Sequence, residues 1–227
     1  MLAYRHRLIV VTFALAWLLY IDRIAISTAK GPLTAAFGLT DTQFGWALSA
    51  FALGYALSQI PAGVIVDRYG PRLVLGVLVA IWSFFTGLTG LAYGFVSLLV
   101  IRTLFGMAEA GAWPACARAF YSWLPPGERG FAKSVNMSGS RLGSAFALPA
   151  VAWLITALGW QASFWVLAAV GLLWAGGWYL WFRDTPEDKR GFPQAEREFL
   201  AANRGGSNAA EKPLPLGQLF RLPGIRL

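Results

Sequence analysis

The chain is poor in the residues that carry covalent and metal chemistry. Its 227 residues include one cysteine, Cys116, and one histidine, His6. A single cysteine excludes an intrachain disulfide. One histidine beside the N-terminus leaves an intramembrane Ser–His pair or a His-rich metal site without its residues. An intramembrane serine protease is excluded on that ground, and no metal or cofactor is expected. Charge is scarce too: 13% of residues are Asp, Glu, Lys or Arg, where soluble domains carry roughly 25%. Apolar residues fill the space left, at 57%, with 11 Trp, 7 Tyr and 16 Phe, and mean hydropathy is +0.54. A soluble fold of this length cannot hide that much apolar surface, and disordered chains are poor in aromatics and rich in charge. The composition specifies an integral membrane protein, which the helix-length spans below make all-α.

A membrane span needs about 20 mostly apolar residues. That window predicts six, at about 8–29, 44–64, 73–93, 95–119, 133–157 and 161–182. Gly31-Pro32, Gly70-Pro71 and Pro125-Pro126-Gly127 punctuate the separators. The first run follows Arg5-His6-Arg7, as a secretory signal would. Its apolar stretch continues past Tyr20 to about Ala29, longer than the 7–15 residues or so of a signal core, so it reads as a retained helix. Residues 1–182 thus form a six-helix transmembrane bundle. Residues 183–227 turn polar and read as a cytoplasmic loop in which Ala195 to Ala202 forms a short interfacial amphipathic helix.

The net charge of +8 invites a nucleic-acid reading, but its distribution decides otherwise. With the N-terminus inside, fifteen of the 19 Lys and Arg fall in cytoplasmic segments, Lys30 alone falls outside, and Arg23, Arg102 and Arg141 lie within spans. This is the positive-inside pattern. It predicts a multi-pass protein of the cell (inner or plasma) membrane with both termini of the chain cytoplasmic and no nucleic-acid partner.

Five charges sit well inside the predicted spans: Asp22, Arg23, Arg102, Glu109 and Arg141. Each costs at least about 2.5–3.5 kcal/mol at the bilayer centre, so they must face one another, water or a ligand. Counting about 1.5 Å per residue predicts two layers. Asp22, Arg23 and Arg102 lie about 10 Å below the outer surface, with Glu109 and Arg141 deeper. Three cations against two anions leave one positive charge, which an anionic substrate would complete. Structural ion pairs locking the helices are the plainer alternative, although apolar replacement of buried pairs is often neutral or stabilising. A buried carboxylate beside an arginine also suits proton coupling, because burial favours its neutral form and the guanidinium its charged form. Elsewhere Gly139 and Gly143 form a GxxxG pattern for close helix approach. Pro114 is expected to kink the fourth span, and Pro61 and Pro149 to do the same in the second and fifth. Tyr20, Tyr55 and Gln59 are placed along a cavity, and Trp123, Trp160, Trp178 and Trp181 as interface anchors.

Gly63-Val64-Ile65-Val66-Asp67-Arg68-Tyr69-Gly70-Pro71-Arg72 resembles the signature of the major facilitator superfamily, at the loop between second and third spans where that family has it. Tyr20-Ile21-Asp22-Arg23, Gly54-Tyr55 with Gln59-Ile60-Pro61-Ala62-Gly63, and Arg102 to Gly111 followed by Pro114 are similar to the first, second and fourth helices of its anion:cation symporter branch. Glu128-Arg129-Gly130 and Gly159-Trp160 agree as well, so the resemblance covers residues 5–190. It implies proton-coupled uptake of a small organic anion, such as a sugar acid, by alternating access, and no enzymatic activity. Arg23 would bind the carboxylate with Tyr55 beside it, Asp22 and Glu109 would carry protons, and Arg102 would partner them. The loop residues Gly63, Asp67, Arg68, Gly70 and Arg72 would gate against the opposite half. Two positions depart from the branch. Leu48 replaces the histidine of vesicular glutamate carriers. Ser140, with Arg141 beside it, replaces a substrate-contacting glutamine of some sugar-acid carriers, so both are taken as substrate-binding candidates. An efflux or exchange carrier on the same fold, and a non-transporting membrane sensor, are the rival readings.

The resemblance also sets an expectation about extent. Twelve spans in two halves make a complete member, so this chain supplies the N-terminal half. Its partners are then the lipid bilayer, the anion and protons, and a C-terminal six-helix half. That half is expected beyond a truncation at residue 227 or, alternatively, on a second chain.

Overall fold

The computed structural model describes residues 3–203, and among these every regular element is helical. A short 3-10 turn at Tyr4–His6 leads into α1 (Arg7–Thr28), followed by α2 (Lys30–Phe37), α3 (Asp41–Tyr69), α4 (Pro71–Thr89), α5 (Phe95–Glu109), α6 (Ala112–Trp123), α7 (Pro126–Leu158), α8 (Trp160–Trp181) and α9 (Gln194–Asn203). Six of the resulting units are long and apolar enough to cross a membrane, with α5 and α6 together forming the fourth. The tail beyond residue 203, including the stretch expected to lead to a seventh span, lies outside the described residues.

The boundaries depart from expectation where proline chemistry intervenes. The fourth unit breaks at Ala110-Gly111, four residues before Pro114. Pro114 has no N–H for the Ala110 carbonyl, and its ring crowds that oxygen. The break thus marks the carbonyl that Pro114 leaves unbonded. In contrast, α3 and α7 run on as helix through Pro61 and Pro149. Gly31-Pro32 does not form a loop: Pro32 sits in the first turn of α2, where a missing N–H is harmless. α2 ends at Gly38, whose φ of 62° is left-handed. The next helix opens with a capping box, Thr40 and Gln43 bonding reciprocally.

Close packing of backbones explains the glycines. α1 lies against α7, where a Cβ on Gly139 or Gly143 would meet Phe13 or Trp17 at 2.9 and 2.8 Å. In the same way α3 lies against α5 and α4 against α8. First-with-fifth and second-with-fourth are equivalent pairs under a 3+3 repeat, with third-with-sixth shared between the repeats.

One end of the bundle is sealed by aromatics. Trp123 and Trp178 are 0% and 1% exposed, so they are core residues here, in contrast to the interface role expected of them. Trp178 stacks on Phe182 at 4.1 Å and Trp123 on the same ring at 5.2 Å. The Trp123 Nε1–H donates to the Arg183 carbonyl (2.8 Å) and that of Trp178 to the Arg72 carbonyl (3.2 Å). The helix expected near residues 195–202 forms as α9, yet its Leu200 is fully buried against the bundle. Glu196 accepts the backbone N–H groups of Tyr4 (2.5 Å) and Arg5 (3.0 Å).

At the same end Asp184 caps α4, its Oδ1 accepting the Arg72 N–H at 2.8 Å. Gly70, at φ 79°, leaves room: a Cβ there would sit 2.7 Å from the same carboxylate oxygen. Asp184→Ala is expected to lower stability by about 1 kcal/mol, the usual worth of a helix cap. A thermal unfolding comparison with the parent chain checks it.

Candidate functional site

Four of the five intramembrane charges come together. Asp22 and Arg23 project from α1, Arg102 and Glu109 from α5, two turns apart on one face. Arg23 Nε donates to Glu109 Oε2 at 2.5 Å, with the Glu109 side chain 0% exposed and that of Arg23 19%. Asp22 and Arg102 are buried beside them, at 2% and 3% exposure. Aromatic faces complete the enclosure. The Arg23 guanidinium lies 4.8 Å from the Tyr55 ring centroid and 5.2 Å from those of Tyr20 and Phe51, and the Arg102 guanidinium 5.0 Å from Phe51 and 4.6 Å from Phe105. Cations held over aromatic faces gain from the ring quadrupole while water is excluded.

The tetrad is charge-balanced and incompletely hydrogen-bonded. Both Asp22 oxygens, Arg23 Nη2, Arg102 Nε and Glu109 Oε1 are buried without a hydrogen-bond partner among the described residues. The Trp82 indole neighbours Asp22, but no hydrogen bond closes between them. Buried polar atoms are almost always satisfied, and an unsatisfied one costs about 1–3 kcal/mol. Five such atoms gather in this one cluster.

The arrangement differs from the two layers that depth counting predicts. Glu109 pairs with Arg23, and Arg141 stands apart, exposed on α7 with no ion pair among the described residues. The surplus positive charge is therefore Arg141. Ser140 is 1% exposed and its hydroxyl donates to the Met137 carbonyl at 2.6 Å, so it is turned into the α7 backbone. Tyr55 is half-buried beside Arg23. Phe51, which bridges both arginines, escaped the sequence reading. Its signal was its spacing, one helical turn before Tyr55 on α3.

The loop residues divide into two groups. Gly70 and Arg72 are tied to α8 and its continuation, the latter with Nε on the Tyr179 carbonyl at 3.1 Å. Gly63, Asp67 and Arg68 sit toward the surface, and Asp67 Oδ1 lies 3.9 Å from Arg118 Nε. Among the described residues no group of three or more His, Cys, Asp or Glu is placed to hold a metal ion.

Comparison with known proteins places this geometry. A family model described as Major Facilitator Superfamily matches residues 12–226. A probable sulfoacetate transporter of Cupriavidus necator is 39% identical over 218 residues, covering 96% of this chain and 51% of that protein. The hexuronate transporter of Bacillus subtilis is 38% identical over 169 residues (74% and 40% covered), and a D-galactonate transporter of Escherichia coli 32% over 221 residues (96% and 50%). The chain spans about half the length of the curated relatives it matches. Among solved structures, a bacterial homologue of the human lysosomal transporter Spinster, inward-facing and unoccupied, superposes with a TM-score of 0.71 at 29% identity, covering 88% of this chain and 50% of that one. A proton:xylose symporter superposes at 0.69 with 18% identity, covering 89% and 50%, and shares the fold alone.

Proposed function

The chain belongs to the major facilitator superfamily, and from that premise we propose that it forms the N-terminal half of a proton-coupled importer of small organic anions, sugar acids or related carboxylates and sulfonates. The observation that carries this reading is the Arg23–Glu109 pair with its unsatisfied neighbours. An arriving carboxylate competes with Glu109 for the Arg23 guanidinium, which can present two parallel N–H groups to it. Glu109, released from Arg23 in a dry site, then takes up a proton, and Asp22 beside it is a second carrier. Anion and proton thus enter together, and alternating access rocks this half against a second six-helix half. The relatives named above, all transporters by description, support the anion class. The cytoplasmic placement of both ends rests on charge: Arg5, Arg68, Arg72, Arg129 and Arg183 gather at one end, and Lys30, paired with Asp41 at 2.8 Å, stands at the other. Asp67 and Arg68, exposed in the last turn of α3 at the basic end, are the signature residues placed to gate against that second half.

A thermal-shift panel tests the proposal on the detergent-purified chain. Galactonate, galacturonate and sulfoacetate are expected to raise the unfolding temperature, and more so at lower pH, because binding that takes up a proton strengthens as protons become abundant. Glu109→Gln is expected to keep the anion effect and lose most of its pH dependence, with Asp22 carrying the remainder. Silence from the whole panel, with the chain alone and with a second half joined to it, overturns the reading.

A further inference from the structure

A cavity of about 360 Å³ opens beside the tetrad, on the side toward the bundle end that carries the N-terminus. Its walls continue those of the tetrad. Gln59 follows Tyr55 by one turn on α3, and Trp113 follows Glu109 by four residues, so the cavity begins about 6 Å further along the bundle. The third wall is α7, which contributes Arg129, Lys133 and Asn136.

The lining is cationic and has a buried vacancy for a hydrogen bond. Arg129 is held in place by Nε on the Leu124 carbonyl (3.1 Å), Nη2 on the Tyr121 carbonyl (3.2 Å) and the Tyr121 ring 4.0 Å away. Lys133 is exposed and makes no ion pair among the described residues. Among the described residues no carboxylate lines the cavity. Asn136 is 2% exposed; its amide meets Cys116, while its Oδ1 has no hydrogen-bond partner. An unpaired buried carbonyl oxygen asks for a donor, and an anion's carboxylate is not one. A hydroxyl on the same molecule is. Arg141, two turns beyond Lys133 on α7 and likewise without an ion pair among the described residues, continues the cationic surface toward Arg23.

Building on the anion-carrier reading, we propose that this cavity is a second binding station on the transport route, taking a hydroxylated carboxylate with its carboxylate on Lys133 and Arg129 and a hydroxyl on Asn136. The molecule would pass from Arg23 to this station before release. Hydroxyl-bearing anions are thereby selected at a point separate from the one that recognises the carboxylate.

Site-directed alkylation reads occupancy of the cavity. Ala117 lines it and is exposed, whereas Cys116 is the only native thiol. In a Cys116→Ser, Ala117→Cys chain, gluconate is expected to slow maleimide labelling at least fivefold. Propionate, which has no hydroxyl, is expected to need about tenfold higher concentration, the worth of one hydrogen bond. Lys133→Gln is expected to remove this protection while leaving the anion-induced thermal shift in place. Arg23→Ala is expected to cut the thermal shift to the part that the station alone supplies and leave the protection. Protection lost in Arg23→Ala but kept in Lys133→Gln would assign the effect to the Arg23 site and overturn the station. No protection at gluconate concentrations that saturate the thermal shift would overturn it as well. Absence of both signals, with the chain alone and with a second half joined to it, would remove the anion reading itself.

Discussion

Arg23→Lys is expected to remove most of the anion-dependent rise in unfolding temperature while leaving the chain folded. Lysine keeps the positive charge, so Glu109 retains a counter-ion and the buried pair survives in coarse form. What disappears is the planar fork. An ammonium is a point charge that cannot offer a carboxylate two parallel N–H groups or stack between Tyr55, Tyr20 and Phe51, as the guanidinium does at 4.8–5.2 Å. Arg23→Ala separates the structural from the functional contribution. It leaves Glu109, 0% exposed, without its partner, and removing one member of a buried pair costs about 3–5 kcal/mol. A purely structural pair predicts that Lys restores most of what Ala loses, with anion response undisturbed. A substrate-binding arginine predicts that Lys restores stability alone. The two variants, melted with and without galactonate, distinguish these outcomes.

How much of this arrangement the sequence carries depends on the kind of information. Charges inside apolar runs are conspicuous because lipid penalises them, so Asp22, Arg23, Arg102 and Glu109 stand out without any structure. The small residues are equally legible: Gly139 and Gly143 predict a close neighbour, and α1 is there. Pairing is a different matter. Depth counted from a fifth span that starts at residue 133 sets Arg141 beside Glu109, but α7 already begins at Pro126 and Arg141 is exposed on it. The helix end therefore does not mark the depth of Arg141. Helix rotation, fixed by glycine contacts far along the chain, then decides that Glu109 meets Arg23. Trp123 and Trp178 depart for a different reason. Their position at span ends is visible, and the Trp178–Phe182 stack is a local pair one turn apart, but the burial of Trp123 depends on the Arg183–Phe192 segment lying over it, which no local pattern announces.

Gly106→Leu is expected to be the most damaging single change in the bundle. A Cβ at Gly106 would run into the Phe51 carbonyl oxygen and come within 3.1 Å of the Tyr55 nitrogen, and on the facing helix a Cβ at Gly54 would run into the Thr103 carbonyl. These obstacles are backbone atoms, which cannot rotate away. The side chain must therefore push α3 from α5, and overpacking of this kind costs about 1–3 kcal/mol or more before the lost contacts are counted. The movement also carries Phe51 and Tyr55 off Arg23 and Arg102, so anion response should fall with stability. Gly63 gives the opposite expectation. It stands in the loop signature, yet nothing lies within 4 Å of a Cβ built on it, and it sits inside α3. Gly63→Ala should be neutral or stabilise by up to about 1 kcal/mol through helix propensity. Thermal unfolding of both variants, read by tryptophan fluorescence, checks the pair. If Gly63→Ala holds its stability, nothing within this half requires a glycine at that position. The close approach that would require one must then come from outside residues 3–203, and a second six-helix half seated over Gly63 and Asp67 would supply it.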